Sequence, residues 1–193
     1  MPIVLNGTNF PNGGTAKLGS TSLKEIKFDS TTVWKAQIEL LNSTNGNTWT
    51  SYIANSSQSN GTITVQSNGN LYIQASTWIS SWADCRAFYK KLTECTAVTS
   101  LTITYSNSKN NFNAAATWFS ICKTPNNYVF YSGNSGSGEI KATNVGGSAH
   151  SNATITWTWS TPTDLSDYYI CMKCTTQGSD NKPTVTMISA IAV

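Results

Sequence analysis

The 193-residue chain is poor in charge, because Asp, Glu, Lys and Arg together make up only 11% of it. It has a single arginine, Arg86, and a single histidine, His150, and its formal net charge is +3. The basic residues are spread along the chain and form no cluster. A nucleic-acid partner would need a basic stripe on one surface, so the composition argues against nucleic-acid binding.

Marks of export and of membrane insertion are also missing. The first residues, MPIVLNGTNF, contain neither a basic region nor a long apolar region, so no signal peptide is predicted. No apolar run approaches the length of a membrane span, so no membrane insertion is predicted. We therefore expect the chain to be made and folded in a cytoplasm.

Catalytic motifs are scarce. The sequence contains no P-loop, GxGxxG, EF-hand or GxSxG motif. His150 lies in a Gly- and Ser-rich segment predicted to be a loop, without the nucleophile that a triad requires. Asp164 and Asp167 are neighbouring carboxylates, but they follow Pro162 in a corner where an Asx-type turn is expected. We predict no enzymatic activity, and a glycoside-cleaving enzyme ranks last among our hypotheses.

The number of cysteines is odd, which argues against a complete disulfide framework. Cys171 and Cys174 form a CxxC motif, but in a predicted strand residues three apart point to opposite faces. A zinc site would need further ligands that the chain does not offer. Buried free thiols are therefore predicted, with a Cys85–Cys95 bridge as an alternative. The five cysteines are Cys85, Cys95, Cys122, Cys171 and Cys174.

The chain is instead rich in Asn, Ser, Thr and Gly, with seven Trp and eight Tyr. This composition favours strands and turns over helices. Turn formers separate runs of alternating apolar and polar residues, and Asn68-Gly69 is the strongest hairpin signal. The predicted strands cover residues 62–66, 71–74, 101–105, 117–121, 128–131, 139–142, 154–159, 168–173 and 184–193.

One segment departs from this alternation. In residues 82–92 the apolar residues follow a helical period, which predicts one short helix. For the rest we predict an all-β fold, a two-sheet antiparallel jelly roll or β-sandwich. The faces expected in its core are Leu101/Ile103/Tyr105 and Ile155/Trp157/Trp159. No cofactor is predicted, although loop carbonyls with Asp180 and Asn181 leave structural calcium as an alternative.

The first 36 residues contain a short repeat: an apolar residue, two turn formers and a threonine. It occurs within Val4–Thr8, Lys17–Thr21 and Lys27–Thr31, at spacings of 13 and 10 residues. Short strand units joined by tight turns produce such a pattern. A segment of this size buries too little surface to fold alone, so we expect it to pack on the following domain, a neighbouring subunit or a larger particle.

The segment IKFDSTTVWK, after the unit AKLGSTSLKE, resembles a module of phage tail and other virion structural proteins. The matching residues are Ile26, Phe28, Asp29, Thr31, Val33 and Trp34, and the resemblance covers roughly residues 1–36. It implies a bacteriophage virion structural protein, a head or tail decoration protein or fibre component. Residues 1–36 would be its attachment module and residues 37–193 the displayed sandwich. The implied attachment residues are Ile26, Phe28, Val33 and Trp34.

A virion protein of this kind would assemble with other virion proteins in the host cytoplasm and become extracellular after lysis. Fibres and appendages are often trimers, so a homotrimer is expected by analogy. Weak adhesion to host surface glycans would be an additional role. The second hypothesis, from another class, is a soluble carbohydrate-binding module or lectin outside a virus.

Sugar binding would use exposed aromatic rings, on which jelly-roll lectins and carbohydrate-binding modules stack sugars. Four aromatic residues lie in polar, loop-like sequence and are the candidates: Trp49, Tyr52, Trp78 and Trp82. Trp118, Trp157 and Trp159 alternate with threonine instead, so we expect them in the core.

Overall fold

The computed structural model describes residues 3–5, 8–10, 17–18, 21–22, 25–28, 31–53, 61–75, 85–109, 117–125, 139–175 and 182–193. Within these ranges the secondary structure consists of strands and one short 3-10 turn at Gly46–Thr48. The strands are β1 (Ile3–Leu5), β2 (Thr8–Phe10), β3 (Lys17–Leu18), β4 (Thr21–Ser22), β5 (Glu25–Phe28), β6 (Thr31–Lys35), β7 (Ile38–Leu41), β8 (Thr50–Ile53), β9 (Thr62–Val65), β10 (Leu71–Gln74), β11 (Cys85–Lys91), β12 (Val98–Asn107), β13 (Thr117–Cys122), β14 (Glu139–Asn144), β15 (His150–Thr163), β16 (Tyr169–Thr175) and β17 (Thr184–Ala192). No helix in this described part is long and apolar enough to cross a membrane.

Two antiparallel sheets make up the larger part of the described chain. In the six-stranded sheet the order is β15-β12-β17-β10-β9, and β7 also pairs with β17. β12 pairs along nearly the whole of β17, so β10 and β7 share the opposite side of that strand. In the five-stranded sheet the order is β14-β13-β16-β11-β8, with β16 at its centre.

The inner faces of the two sheets meet in one hydrophobic core. Register pairs Leu101 with Trp157 and Ile103 with Ile155, so the two predicted faces lie side by side on the six-stranded sheet. Full burial of one such side chain stabilises the fold by roughly 1.5–3 kcal/mol. The five-stranded sheet contributes Phe88, Phe119, Ile121, Ile170 and Met172. The predicted all-β, two-sheet antiparallel sandwich is therefore confirmed.

Alternation located most of the strands correctly. The predicted Asn68-Gly69 hairpin is confirmed, because β9 pairs with β10 and Gly69 has φ +83°. The Gly69 N–H donates to the Gln66 carbonyl at 2.9 Å, which closes the turn. Every other predicted strand is present in the described part of the chain, except that residues 128–131 lie outside it. β7 and β8 were not predicted.

The predicted helix over residues 82–92 is wrong where the structure describes it. Residues 85–91 form β11, which pairs with β16 on one side and with β8 on the other. Phe88 points into the core, whereas Ala87 lies in a second buried cluster on the opposite face of the sheet. Ala87 and Phe88 are both buried although they lie on opposite faces of the sheet, so apolar residues occur at successive positions and imitate a helical spacing.

The N-terminal strands pair as three separate two-stranded sheets, β1-β2, β3-β4 and β5-β6. In each one the registered pair with the smallest sequence separation joins an apolar residue to a threonine: Leu5 to Thr8, Leu18 to Thr21 and Phe28 to Thr31. These strand pairs coincide with the repeat units of the sequence, whereas the hairpin module itself stays a prediction. The division at residue 36 and the attachment role stay predictions.

Candidate functional site

Four aromatic side chains lie on the outer face of the five-stranded sheet, which we call the aromatic face. Three of them directly precede or follow residues buried in the core, Phe88, Phe119 and Ile170, and therefore point the other way. The fourth, Tyr52, packs against the second buried cluster on that outer side. All four are half-buried: Tyr52, Tyr89, Trp118 and Tyr169.

Strand register sets the arrangement of this face. Tyr52 of β8 lies opposite Ala87, and Trp118 of β13 lies opposite Lys173 of β16. Because Ala87 also pairs with Lys173, these residues form one row across four strands. The neighbouring row begins with Tyr89, which lies opposite Cys171. Tyr52, Tyr89 and Tyr169 thus pack around small buried side chains, which are Ala87, Cys122 and Cys171.

Contacts between rings, and between a ring and a charged group, fix the positions of these aromatic side chains. Tyr89 and Tyr169 meet edge to face, with ring centroids 6.0 Å apart and an interplanar angle of 69°. Nζ of Lys173 lies 5.8 Å from the centroid of the Trp118 ring, within range of a cation–π interaction. Lys173 is only 3% exposed, so its charge lies within the face rather than at its rim.

Two buried thiols lie between the rings of the aromatic face. The Sγ atoms of Cys122 and Cys171 are 3.4 Å apart, and both residues are buried. A hydrogen bond from Cys171 lowers the pKa of the Cys122 thiol. Burial, followed by the same hydrogen bond, raises the pKa of the Cys171 thiol. The two thiols therefore differ in acidity.

The other described thiols, Cys95 and Cys174, are also buried and form no disulfide bond. The prediction of buried free thiols is confirmed for these four residues, and the Cys85–Cys95 bridge is wrong. Cys174 faces the core, whereas Cys171 lies on the aromatic face. The CxxC motif therefore has its sulfurs on opposite sides of β16, as the sequence predicts.

The structure separates the four sugar-binding candidates. Tyr52 lies on the aromatic face. Trp49 is only 6% exposed, and its Nε1–H donates to the Leu40 carbonyl at 3.0 Å within the core. This burial does not support the expectation that Trp49 offers a ring to a sugar. Trp78 and Trp82 lie outside the described residues.

Three members of the aromatic face were missed from sequence. Tyr89 was assigned to the predicted helix, and Trp118 was expected in the core. Tyr169 follows Tyr168 in a strand where nearly every residue is buried. The usable signal is adjacency: Trp118 precedes Phe119 and Tyr89 follows Phe88, so in a strand only one ring of each pair can enter the core.

Backbone register places the predicted attachment residues in β5 and β6. Ile26 lies opposite Trp34, and Phe28 lies opposite Thr31. Val33 is the extra residue where the register shifts between Ile26 and Lys27. Register alone does not test whether these residues attach the protein to anything.

The ionisable residues considered for catalysis have structural partners. Oδ1 of Asp164 accepts a hydrogen bond from the Ser166 N–H at 2.8 Å, which forms the predicted Asx-type turn. Hydrogen bonds from Ser166 lower the pKa of Asp164. His150 is the first residue of β15 rather than a loop residue, and its Nδ1 lies 2.9 Å from Oδ1 of Asn107.

Metal ligands do not gather in the described part of the chain, where no group of three or more His, Cys, Asp or Glu side chains occurs. Asp180 and Asn181, considered for calcium, lie outside the described residues. A polar cleft of about 290 Å³ lies between the turn after β7 and the β9–β10 turn. It is lined by Ser43, Thr44, Gly46, Asn47, Val65, Gln66, Ser67 and Gly69.

Similar folds occur among solved structures at low sequence identity. The enzymatically active domain of tailspike protein 4 from bacteriophage CBA120 is 10% identical, with a TM-score of 0.47 over 79% of this chain and 22% of that chain. The K1 cleaved adhesin domain of Lys-gingipain from Porphyromonas gingivalis is 8% identical, with a TM-score of 0.46 over 82% of this chain and 98% of that one. The xylan-binding module CBM15 is 14% identical, with a TM-score of 0.43 over 82% of this chain and 96% of that one.

No protein-family model matches the chain, and a sequence search of curated proteins finds no match. At the similarity of the solved structures, neither a function nor a residue role transfers to this chain.

Proposed function

We propose that the β-sandwich binds carbohydrate and that the aromatic face is its binding surface. The observation that supports this proposal is the placement of four half-buried aromatic rings on one outer face of the sandwich. Ligand sites are concave and largely apolar, with a few polar groups that fix orientation. Sugar rings present apolar C–H faces that stack on aromatic rings, which matches this arrangement.

Polar groups are available at the margins of the face. Exposed Thr50 lies opposite Tyr89, exposed Lys91 lies opposite Tyr169, and exposed Asn144 lies opposite Trp118. Hydroxyl, ammonium and amide groups bond sugar hydroxyls. The rings would thus supply area and the margins would supply orientation.

The opposite surface of the sandwich is a poorer candidate. On the outer face of the six-stranded sheet, Thr156 lies opposite Thr102, and their hydroxyls are 3.1 Å apart. Among the described residues of this face the aromatic one is Tyr72, and it lies opposite Thr64 and Thr186. The single ring of Tyr72, surrounded by threonines, does not form a group of stacking surfaces.

The test compares one ring from each surface. Purified protein is titrated by calorimetry with xylan, because one similar structure is a xylan-binding module, and with a panel of other neutral polysaccharides. Tyr52→Ala should weaken binding about tenfold, or ~1.4 kcal/mol, since it removes a stacking ring. Tyr72→Ala, the matched control, should bind like wild type. Equal losses in both variants would exclude the aromatic face, and no binding to any glycan would reject the proposal.

We further propose that the sandwich is displayed on a bacteriophage particle, where adhesion to host glycans would be its role. The supporting observation is the set of three strand pairs in the first 36 residues, each with an apolar residue opposite a threonine. In this proposal the protein is a homotrimeric virion component without enzymatic activity, made in the host cytoplasm and released by lysis.

Mass spectrometry of purified particles tests this placement. Deletion of residues 1–36 should abolish incorporation and leave 37–193 folded by circular dichroism. Incorporation of the truncated chain would contradict the attachment role. Particles without the protein, combined with glycan binding by the purified chain, would favour the alternative of a carbohydrate-binding module outside a virus.

A further inference from the structure

We propose that Cys122 and Cys171 are a redox-active thiol pair, which a peroxide-class oxidant converts to an intramolecular disulfide between β13 and β16. Their Sγ atoms are already 3.4 Å apart. A disulfide bond is about 2.05 Å long, so the sulfurs need to approach by roughly 1.4 Å. Because the two residues are diagonal neighbours on β13 and β16, and diagonal neighbours are spaced more widely than directly opposite residues, this approach requires side-chain rotation together with a shift of the two strands.

Strand pairing keeps the two thiols together in the folded chain. β13 and β16 are registered along their length, with Ser120 opposite Cys171 and Cys122 opposite Tyr169. Cys122 and Cys171 are therefore diagonal neighbours on the same face, although 49 positions separate them in sequence. Their encounter depends on the fold and not on local chain flexibility.

The difference in acidity assigns the two roles. Cys122 has the lowered pKa, so it is the attacking thiolate, and Cys171 is the resolving thiol. The Cys122 sulfur attacks one peroxide oxygen, the O–O bond breaks, and a sulfenic acid and water form. The Cys171 sulfur then attacks the sulfenic sulfur, and the leaving hydroxyl departs with the Cys171 proton as water. In total, two thiols are oxidised and one peroxide is reduced to two waters.

The remaining described thiols have different surroundings. Sγ of Cys174 lies 3.4 Å from the Pro183 carbonyl and 3.7 Å from Oγ1 of Thr117, on the core side of the sheet. Cys95 is fully buried in the core. We expect oxidation to select the Cys122–Cys171 pair, because its sulfurs are already 3.4 Å apart.

Burial sets the expected rate. Cys122 is 0% exposed and Cys171 is 2% exposed, so hydrogen peroxide reaches them through local opening of the sheet. We therefore expect complete but slow oxidation in the folded chain.

The experiment treats the reduced full-length protein with hydrogen peroxide, blocks remaining thiols with iodoacetamide and maps the peptides without reduction. The expected product is a peptide pair joining Cys122 to Cys171, which dithiothreitol reverses. Cys122→Ser and Cys171→Ser should lose that product, whereas Cys95→Ser, the control, should retain it.

Peptide mapping of the oxidised wild-type protein tests the Cys122–Cys171 disulfide even if a variant fails to fold. Two unmodified thiols after exhaustive peroxide treatment would overturn the proposal. Sulfinic acid on Cys122 without a disulfide would overturn it as well, and so would links to other cysteines or between molecules as the main products.

Discussion

Lys173 and Trp118 lie directly opposite each other on β16 and β13, with the ammonium nitrogen 5.8 Å from the ring centroid. Lys173 lies two residues after Cys171 on the same strand, so both side chains share the aromatic face. The hydrogen bond from Cys171 is the main cause of the lowered pKa of Cys122, and the positive charge of Lys173 adds a smaller lowering against the opposing effects of burial and Glu139. The buried ammonium of Lys173 thus contacts the Trp118 ring and also acts electrostatically on the Cys122 thiol.

Replacing Lys173 with methionine should therefore make Cys122 less acidic. The Lys173→Met variant keeps the apolar stem but removes the charge, so the pH midpoint for alkylation of Cys122 should move upward. Alkylation by iodoacetamide, followed by peptide mass spectrometry across a pH series, measures that midpoint. Lys141→Met is the control, because Nζ of Lys141 lies 5.5 Å from the Trp159 ring in a similar contact. A midpoint that moves equally in both variants, or in neither, would contradict the prediction.

Gly69 and Gly147 provide a matched pair for the cost of a methyl group. A Cβ on Gly69 would lie 2.4 Å from the Ser43 carbonyl oxygen, and the residue has φ +83°. A Cβ on Gly147 would meet no atom within 4 Å. Gly69→Ala should lower the free energy of unfolding by about 1–3 kcal/mol, whereas Gly147→Ala should be neutral or stabilise by up to about 1 kcal/mol. Urea denaturation measures both, and similar losses in the two variants would contradict this account.

Turns and strands whose form depends on neighbouring residues in sequence were predicted correctly. The Asn68-Gly69 turn needs a residue with positive φ, and only glycine adopts it without strain, so sequence identified it directly. β15 alternates Ile155 and Trp157 with threonines, and its burial alternates in the same way. In a strand with only one buried face, the alternation of apolar and polar residues therefore identifies which side chains face the core.

The aromatic face could not be predicted in the same way. Ala87 and Phe88 lie on opposite faces of β11 and are both buried, so the two-residue period disappears. Tyr52 and Trp118 come together only through β11 and β16, which are separate pairings between distant segments. Sequence supplied Tyr52 as a candidate, but the residues around it depend on strand order.

Tyr105 should reduce stability at high pH. It is 4% exposed, its ring lies 5.1 Å from that of Phe119, and burial raises its pKa. Because the unfolded chain loses the phenolic proton first, near pH ~10, the free energy of unfolding should fall as pH rises above that value. Tyr105→Phe keeps the ring contact and removes the proton, so its stability should fall less between neutral and alkaline pH. Urea midpoints across this range measure the difference, and parallel curves would contradict it.

Asn107 binds three carbonyl groups with one amide. Its Nδ2 lies 2.9–3.0 Å from the carbonyl oxygens of Ser108, Val145 and Ser148, and its Oδ1 faces Nδ1 of His150. The three carbonyls fix the orientation of the amide, so Nδ1 of His150 is the donor in that contact. The residue is 6% exposed, so a change of donor to acceptor here takes place away from water.

Asn107→Asp should therefore lower the free energy of unfolding by about 2–4 kcal/mol near neutral pH, because a carboxylate would face three carbonyls. The unfavourable surroundings should raise the folded-state pKa of the new carboxyl above its unfolded value of about 3.9. The destabilisation should then shrink as pH falls towards that value, since the protonated group regains a donor. Asn144→Asp is the control: Oδ1 of exposed Asn144 accepts from the Gly146 N–H at 2.9 Å, and a carboxylate accepts equally well. Urea denaturation of both variants against wild type checks this, and equal losses at the two sites would show that the carbonyl cluster does not require a donor.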